Sequence, residues 1–154
     1  MQRTKICLWF DGQAEEAANF YTSVFKNSAI THIARNPDNS PVGVQGSVLT
    51  VSFNLDGQEY FALNGGNAFQ FTEAISVMVN CDSQEEIDYY WSKLSEGGKE
   101  VECGWVKDKF GLSWQIIPSK LTELLSSGDV EKSNRIFHAI WKMKKIIIAD
   151  LENA

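Results

Sequence analysis

The segment KICLWFDGQAEEAANFYTSVF, Lys5 to Phe25, decides how the chain is read. Lys5 to Phe10 is short, apolar and aromatic, and it stops at Asp11-Gly12, which predicts a strand closed by a turn. In an alternating strand, Cys7 and Trp9 point one way and Ile6, Leu8 and Phe10 the other. From Gln13 to Phe25, Ala14, Ala17, Ala18, Tyr21, Val24 and Phe25 recur at helical spacing. Glu15 and Glu16 fall in the first turn, where the helix dipole favours acids. The segment therefore predicts a strand followed by an amphipathic helix.

The same pattern returns later. CDSQEEIDYYW, Cys81 to Trp91, echoes FDGQAEEAANFY, Phe10 to Tyr21: a strand end, an acidic first turn, then paired aromatics. After the first helix, Ala29 to Ala34 reads as a strand, and Arg35 to Gly46, with Pro37, Pro41 and Gly43, as a loop. Ser47 to Leu55 and Gln58 to Asn64 flank Asp56-Gly57, a hairpin signal. In the second half Ala74 to Cys81 reads as a strand. Ser83 to Glu86 forms a capping box for the next helix, which ends at Gly97-Gly98. Lys99 to Lys107 is expected as one strand, Asp108 to Gly111 as a turn, and Leu112 to Ile117 as the last strand. Ser119 to Ala154 predicts two or three helical segments, with Lys142 to Lys145 on the solvated side of the last. The expected fold class is α+β: paired βαβββ modules forming a curved sheet around a cleft, with C-terminal helices. It is expected as a single domain over residues 1–154, with module one about 1–68, module two about 69–118 and a helical tail at 119–154.

Composition narrows the function. The chain is 44% hydrophobic and 22% charged, which is ordinary globular usage and argues against disorder. Its net charge of −6 repels phosphate backbones, so nucleic acid is not an expected partner. No apolar run approaches the roughly 20 residues that span a bilayer, so no membrane partner is expected. The N-terminus has no signal-peptide pattern. Three widely spaced cysteines, Cys7, Cys81 and Cys103, give neither a disulfide framework nor a zinc spacing, which fits a cytoplasmic setting.

Several segments carry a resemblance to a known family: CLWFDGQAEEAANFY from Cys7, ALNGG from Ala62, NCDSQEEIDYYWSKLSEGG from Asn80, CGWVKDKFGLSWQIIP from Cys103, and WKMKKIIIADLENA from Trp141. The chain resembles the PhnB-like branch of the vicinal oxygen chelate, or glyoxalase/bleomycin-resistance, superfamily. This branch is often called 3-demethylubiquinone methyltransferase. The resemblance implies paired βαβββ modules, a small-molecule cleft between them and a homodimer. A methyltransferase using S-adenosylmethionine usually sets its cofactor on a Gly-rich strand-to-helix turn, and no such motif stands here, which argues against methyl transfer.

Metal-dependent relatives use inward-facing His and Glu. At the corresponding positions stand Gln115, seven residues after Asp108, then Cys7, Ser76 or Met78, and Ala62 or Asn64. The two histidines, His32 and His138, fall elsewhere. A neutral Gln lacks the charge that offsets desolvation of an ion, so no catalytic metal and no other cofactor is expected. The expected cleft residues are Cys7, Trp9, Asn64, Ser76, Met78, Ser113 and Gln115. For each, a packing role is the competing reading, and Trp114 is expected as core beneath a helix. Catalytic residues are not assigned. Cys7 with Lys5 two positions away is a weak nucleophile candidate. The expected function is a small-molecule-binding protein of the glyoxalase/bleomycin-resistance type. Two alternatives stay open: an enzyme on a small oxygenated substrate, and a dimeric scaffold with a vestigial cleft.

Overall fold

A computed structural model describes residues 2–154. The chain divides into two compact units, one ending at Phe71 and the other running Thr72–Ala154.

The first unit holds β1 (Ile6–Phe10), α1 (Ala14–Val24), β2 (Ala29–Arg35), β3 (Val48–Leu55) and β4 (Gln58–Asn64). Its four-stranded sheet has the order β1-β4-β3-β2. β1 runs parallel to β4, with Cys7 beside Phe61 and Trp9 beside Leu63. Alternation decides the two faces. Leu8, Phe10, Val51, Phe53, Tyr60 and Ala62 are buried beneath α1, which meets them with Ala14, Ala17, Ala18, Tyr21 and Val24. The alanines let the helix lie close to the sheet, and Phe53 stacks between Tyr21 and Tyr60 at 6.2 and 5.4 Å. Asp56 and Gly57 both take left-handed φ, of 46° and 85°, as a tight two-residue hairpin requires.

The second unit repeats the plan with β5 (Ser76–Cys81), α2 (Gln84–Ser95), β6 (Lys99–Glu100), β7 (Trp105–Lys107) and β8 (Ser113–Pro118). Its strand order is β5-β8-β7-β6, which matches the first sheet position for position. This shared order is the duplication that the sequence echo predicts. α2 covers Val79, Cys81, Val106, Trp114 and Ile116 with Ile87, Trp91 and Leu94. The Ser83 half of the capping box forms, with Glu86 N–H donating to Ser83 Oγ at 3.2 Å, while Glu86 Oε2 accepts from the Asp82 N–H, one residue before the cap, at 2.7 Å. The helix stops where Gly97 adopts φ +71°. Gly98 then lies flush on the next strand, where a Cβ would come within 2.1 Å of the Lys107 carbonyl oxygen.

Two expectations are corrected. Lys99 to Lys107 is not one strand but the hairpin β6–β7, with Lys99 opposite Lys107. The chain reverses at Cys103 and Gly104, with φ of 61° and 81°. The non-glycine member of that pair gave no turn signal. Lys142 to Lys145 does not form the solvated side of a helix either. The tail forms α3 (Leu121–Leu125), α4 (Val130–Trp141) and α5 (Ile148–Glu152), and the basic run links the last two. Its backbone accepts hydrogen bonds from the β6–β7 turn: Cys103 N–H to the Met143 carbonyl at 2.8 Å and Gly104 N–H to the Lys144 carbonyl at 2.7 Å. Gly104 is required there, since a Cβ would meet the Ile116 carbonyl oxygen at 2.9 Å and Ile146 at 3.0 Å.

Candidate functional site

In the first unit, Cys7 and Trp9 share the sheet face away from α1. Trp9 is held firmly. Its indole N–H donates to the Gly66 carbonyl at 2.8 Å, and Phe69 meets the ring edge-on at 4.9 Å. Any side chain at Gly65 would strike the ring, which lies 2.3 Å from a Cβ placed there. Cys7 is exposed, and partial burial pushes its thiol above the ordinary value. Lys5 sits 3.9 Å from Glu59, so its charge already has a partner. Neither fact supplies what a nucleophilic thiolate needs.

Asn64 lies on the opposite face from Cys7 and Trp9. It is buried, its Oδ1 accepts from the Ala14 N–H at 2.9 Å, and its Nδ2 donates to the Val48 carbonyl at 3.0 Å. Gln13 gives α1 no side-chain cap, so Asn64 supplies the missing acceptor from across the sheet. Beside it opens a cavity of about 400 Å³, lined by Asp11, Glu15, Asn36, Ser47, Asn64 and Gly66 among others. The loop over this cavity is organised by buried Asn36. Its amide donates to Ser47 Oγ at 2.9 Å, and its Oδ1 accepts from Ser40 at 2.6 Å. The two buried amides here are committed to the fold.

In the second unit, β5 and β8 pair in parallel, with Ser76 beside Ser113 and Met78 beside Gln115. All four project from the face opposite α2. Gln115 Nε2 donates to Ser76 Oγ at 2.8 Å, Ser113 is buried, and Met78 is 55% exposed. Trp105 stands opposite Gln115 across β7–β8 and shares its face. Here a pocket of about 220 Å³ is walled by Met78, Trp105 and Gln115 from the sheet and by Phe137, Ile140 and Trp141 from α4. Four of the seven expected residues thus stand together on one sheet face, and two of them line the pocket. The α4 aromatics were not expected there. Their signal was the dense apolar stripe of the tail. Trp114, by contrast, is core, 1% exposed, with its indole N–H donating to Asp108 Oδ2 at 2.8 Å.

The chelating site of the metal-dependent relatives that the resemblance brings in does not fit these residues. Gln115 brings a neutral carboxamide already bonded to Ser76. Among the described residues, no three His, Cys, Asp or Glu side chains gather closely enough to hold an ion.

Comparisons with known proteins agree with this architecture. Residues 2–117 match the family described as 3-demethylubiquinone-9 3-methyltransferase. A PhnB protein of Bacillus cereus that carries the same methyltransferase name is similar at 39% identity, covering 76% of this chain and 99% of its own, with a TM-score of 0.70. Protein PA1353 of Pseudomonas aeruginosa shares the fold at 18% identity, covering 77% of this chain and 98% of its own, with a TM-score of 0.63. The fosfomycin resistance protein FosX of Listeria monocytogenes, solved with Mn(II) and sulfate, shares it at 16% identity, 81% and 98% coverage and a TM-score of 0.60. No match was found among curated proteins.

Proposed function

The chain belongs to the 3-demethylubiquinone-9 3-methyltransferase family of the vicinal oxygen chelate superfamily, and from that premise we propose that it binds a small apolar molecule without metal chemistry. One observation carries the reading: the second sheet and α4 together wall a pocket of about 220 Å³ with aromatic and aliphatic side chains around one carboxamide and the thiol residue Cys103. Mostly apolar walls with few polar groups are the usual constitution of a small-molecule site. The donor set argues for binding over metal-assisted catalysis, because a carboxamide, a thioether, indoles and the lone thiol of Cys103 bring no carboxylate or imidazole to offset an ion's desolvation. Methyl transfer finds no support in the strand-to-helix joins, where Gly12 is the sole glycine between Phe10 and Ala14 and none stands between Cys81 and Gln84.

A fluorescence titration tests the proposal, since Trp105 and Trp141 both line the pocket. Small aromatic compounds are expected to quench the native protein saturably and to raise its unfolding temperature. Trp141→Ala with Phe137→Ala is expected to weaken this binding without changing the circular dichroism spectrum. If no compound among a broad aromatic set binds, the vestigial scaffold replaces this reading. We further propose a homodimer, supported by the family resemblance and by exposed Val130 and Trp141 on α4. Light scattering of the purified protein decides it. A cytoplasmic location is proposed from its three free thiols. Among the described residues, no helix is long and apolar enough to cross a membrane.

A further inference from the structure

The polar edge of the pocket defines what kind of ring it takes. Resting on the binding reading above, we propose that the ligand is a planar ring whose rim carries a hydrogen-bond donor next to an acceptor, as in a cyclic amide.

The first observation is a mismatch of satisfied and unsatisfied groups. Gln115 spends its Nε2 on Ser76, and its Oε1 accepts no hydrogen bond among the described residues. Trp105 donates its indole N–H to no acceptor among them. Of the other indoles, Trp9 pairs with Gly66, Trp91 on α2 with Glu100 and Trp114 with Asp108, whereas Trp141 on α4, like Trp105, has no acceptor among the described residues. The unpaired acceptor of Gln115 and the unpaired donor of Trp105 belong to residues paired directly across β7–β8, on one face. Cross-strand partners on one face lie about 5 Å apart at Cβ. The two side chains therefore stand next to each other on the pocket wall, and the proposed ligand edge spans them.

The second observation is the space. At about 220 Å³ the pocket exceeds the ~150 Å³ apolar cavity known to admit benzene, so one or two fused rings fit. Phe137 and Trp141 stack at 6.2 Å on α4 and offer aromatic surface to such a ring. The tail that supplies them lies outside the residues matched by the family, 2–117. The sheet would then read the polar edge, and the appended helix would supply the apolar grip. A donor and acceptor left unpaired beside a bound hydrocarbon would each lose solvation without compensation. A ring bearing both groups removes that cost.

The test compares three bicyclic probes by calorimetric or fluorescence titration: carbostyril, which has the N–H and C=O edge, N-methylcarbostyril, which lacks the donor, and naphthalene, which lacks both. Carbostyril is expected to bind at least about tenfold more tightly than either of the others, as for sites that read a hydrogen-bonding group. Gln115→Leu and, separately, Trp105→Phe keep the apolar walls and are expected to erase most of that preference. Gln115→Glu, which keeps an acceptor, is expected to retain it. Thermal unfolding confirms that each variant is folded. If the three probes bind the native protein equally, the polar-edge inference is overturned while small-molecule binding stands. If carbostyril is preferred but neither variant changes the preference, this edge is not the one being read. If none of the probes binds, the reading of the pocket itself fails.

Discussion

Cys7 and Cys81 carry the same thiol into different surroundings. Burial pushes both above the ordinary range, and Cys81, 1% exposed and near Glu86 and Asp82, rises from 9.0 to about 12. A native thiol reagent assay in mildly alkaline buffer is expected to modify Cys7 more slowly than free cysteine, and Cys81 only after unfolding. The same shift links stability to pH. An acid whose folded value is raised favours its neutral form, so its contribution is complete below pH 9 and is lost as pH climbs toward about 12. Urea unfolding should therefore show falling stability over that window, and Cys81→Ala should make the fall shallower. An unchanged slope would refute the linkage. Asp108 poses a different problem. Its carboxylate accepts from the Phe110 N–H at 2.9 Å, the Leu112 N–H at 3.0 Å and the Trp114 indole at 2.8 Å. Asp108→Asn must set an amide N–H₂ against one of these donors. The expected loss is about 1–3 kcal/mol in urea denaturation, the cost of a buried donor left unpaired.

Elements are joined by side chains as much as by loops. Gln84, in the first turn of α2, donates to the Ile146 carbonyl at 3.1 Å and accepts from the Ile148 N–H at 2.9 Å. This bidentate clamp fixes the entry to α5, and the ion pair of Lys145 with Asp88 at 2.7 Å lies beside it. Gln84→Ala is expected to cost about 1–2 kcal/mol and to release the Ile148 amide to faster hydrogen exchange. Retained protection at Ile148 would show that the clamp is idle. At this scale the sequence was readable where a local rule acts alone. The alanine stripe of α1, the Ser83 capping box and the Asp56-Gly57 hairpin each announce themselves by type and spacing. The β6–β7 break did not, because its turn uses Cys103 at φ 61°, a conformation composition gives no reason to expect. The helix-capping role of Asn64 was hidden for another reason: Ala14, its partner, lies 50 residues away. The candidate pocket was half legible. Met78 and Gln115 follow from strand alternation. Their meeting with Phe137 and Trp141 depends on how the tail folds back, and that is set by main-chain bonds from Cys103 and Gly104 that carry no side-chain signature.

For the molecule as a whole, ion binding and the proposed ring binding make opposed demands on the side chains that line the pocket. A divalent cation needs several charged or strongly donating ligands to offset its lost hydration, whereas the pocket of the second unit offers indoles, a thioether, one carboxamide and the lone thiol of Cys103. The nearby charges are spent elsewhere: Lys107 pairs with Glu73, holding that exposed carboxyl below its usual range, and Lys120 pairs with Glu152. Anything that binds the native state alone raises the unfolding temperature in proportion to the logarithm of its concentration over Kd. Millimolar manganese, zinc or magnesium is therefore expected to leave the thermal midpoint where chelator-treated protein has it, while a well-fitting ring compound raises it in a dose-dependent way. Gln115→Glu gives the control that separates donor chemistry from access, because it places a carboxylate at the position where the family resemblance implies a ligand. If the native protein gains several degrees from one ion, or emerges from purification with stoichiometric metal, ligands are being assembled in a way this arrangement of side chains does not provide. If only the Gln115→Glu protein responds, the missing carboxylate is what separates this chain from its chelating relatives.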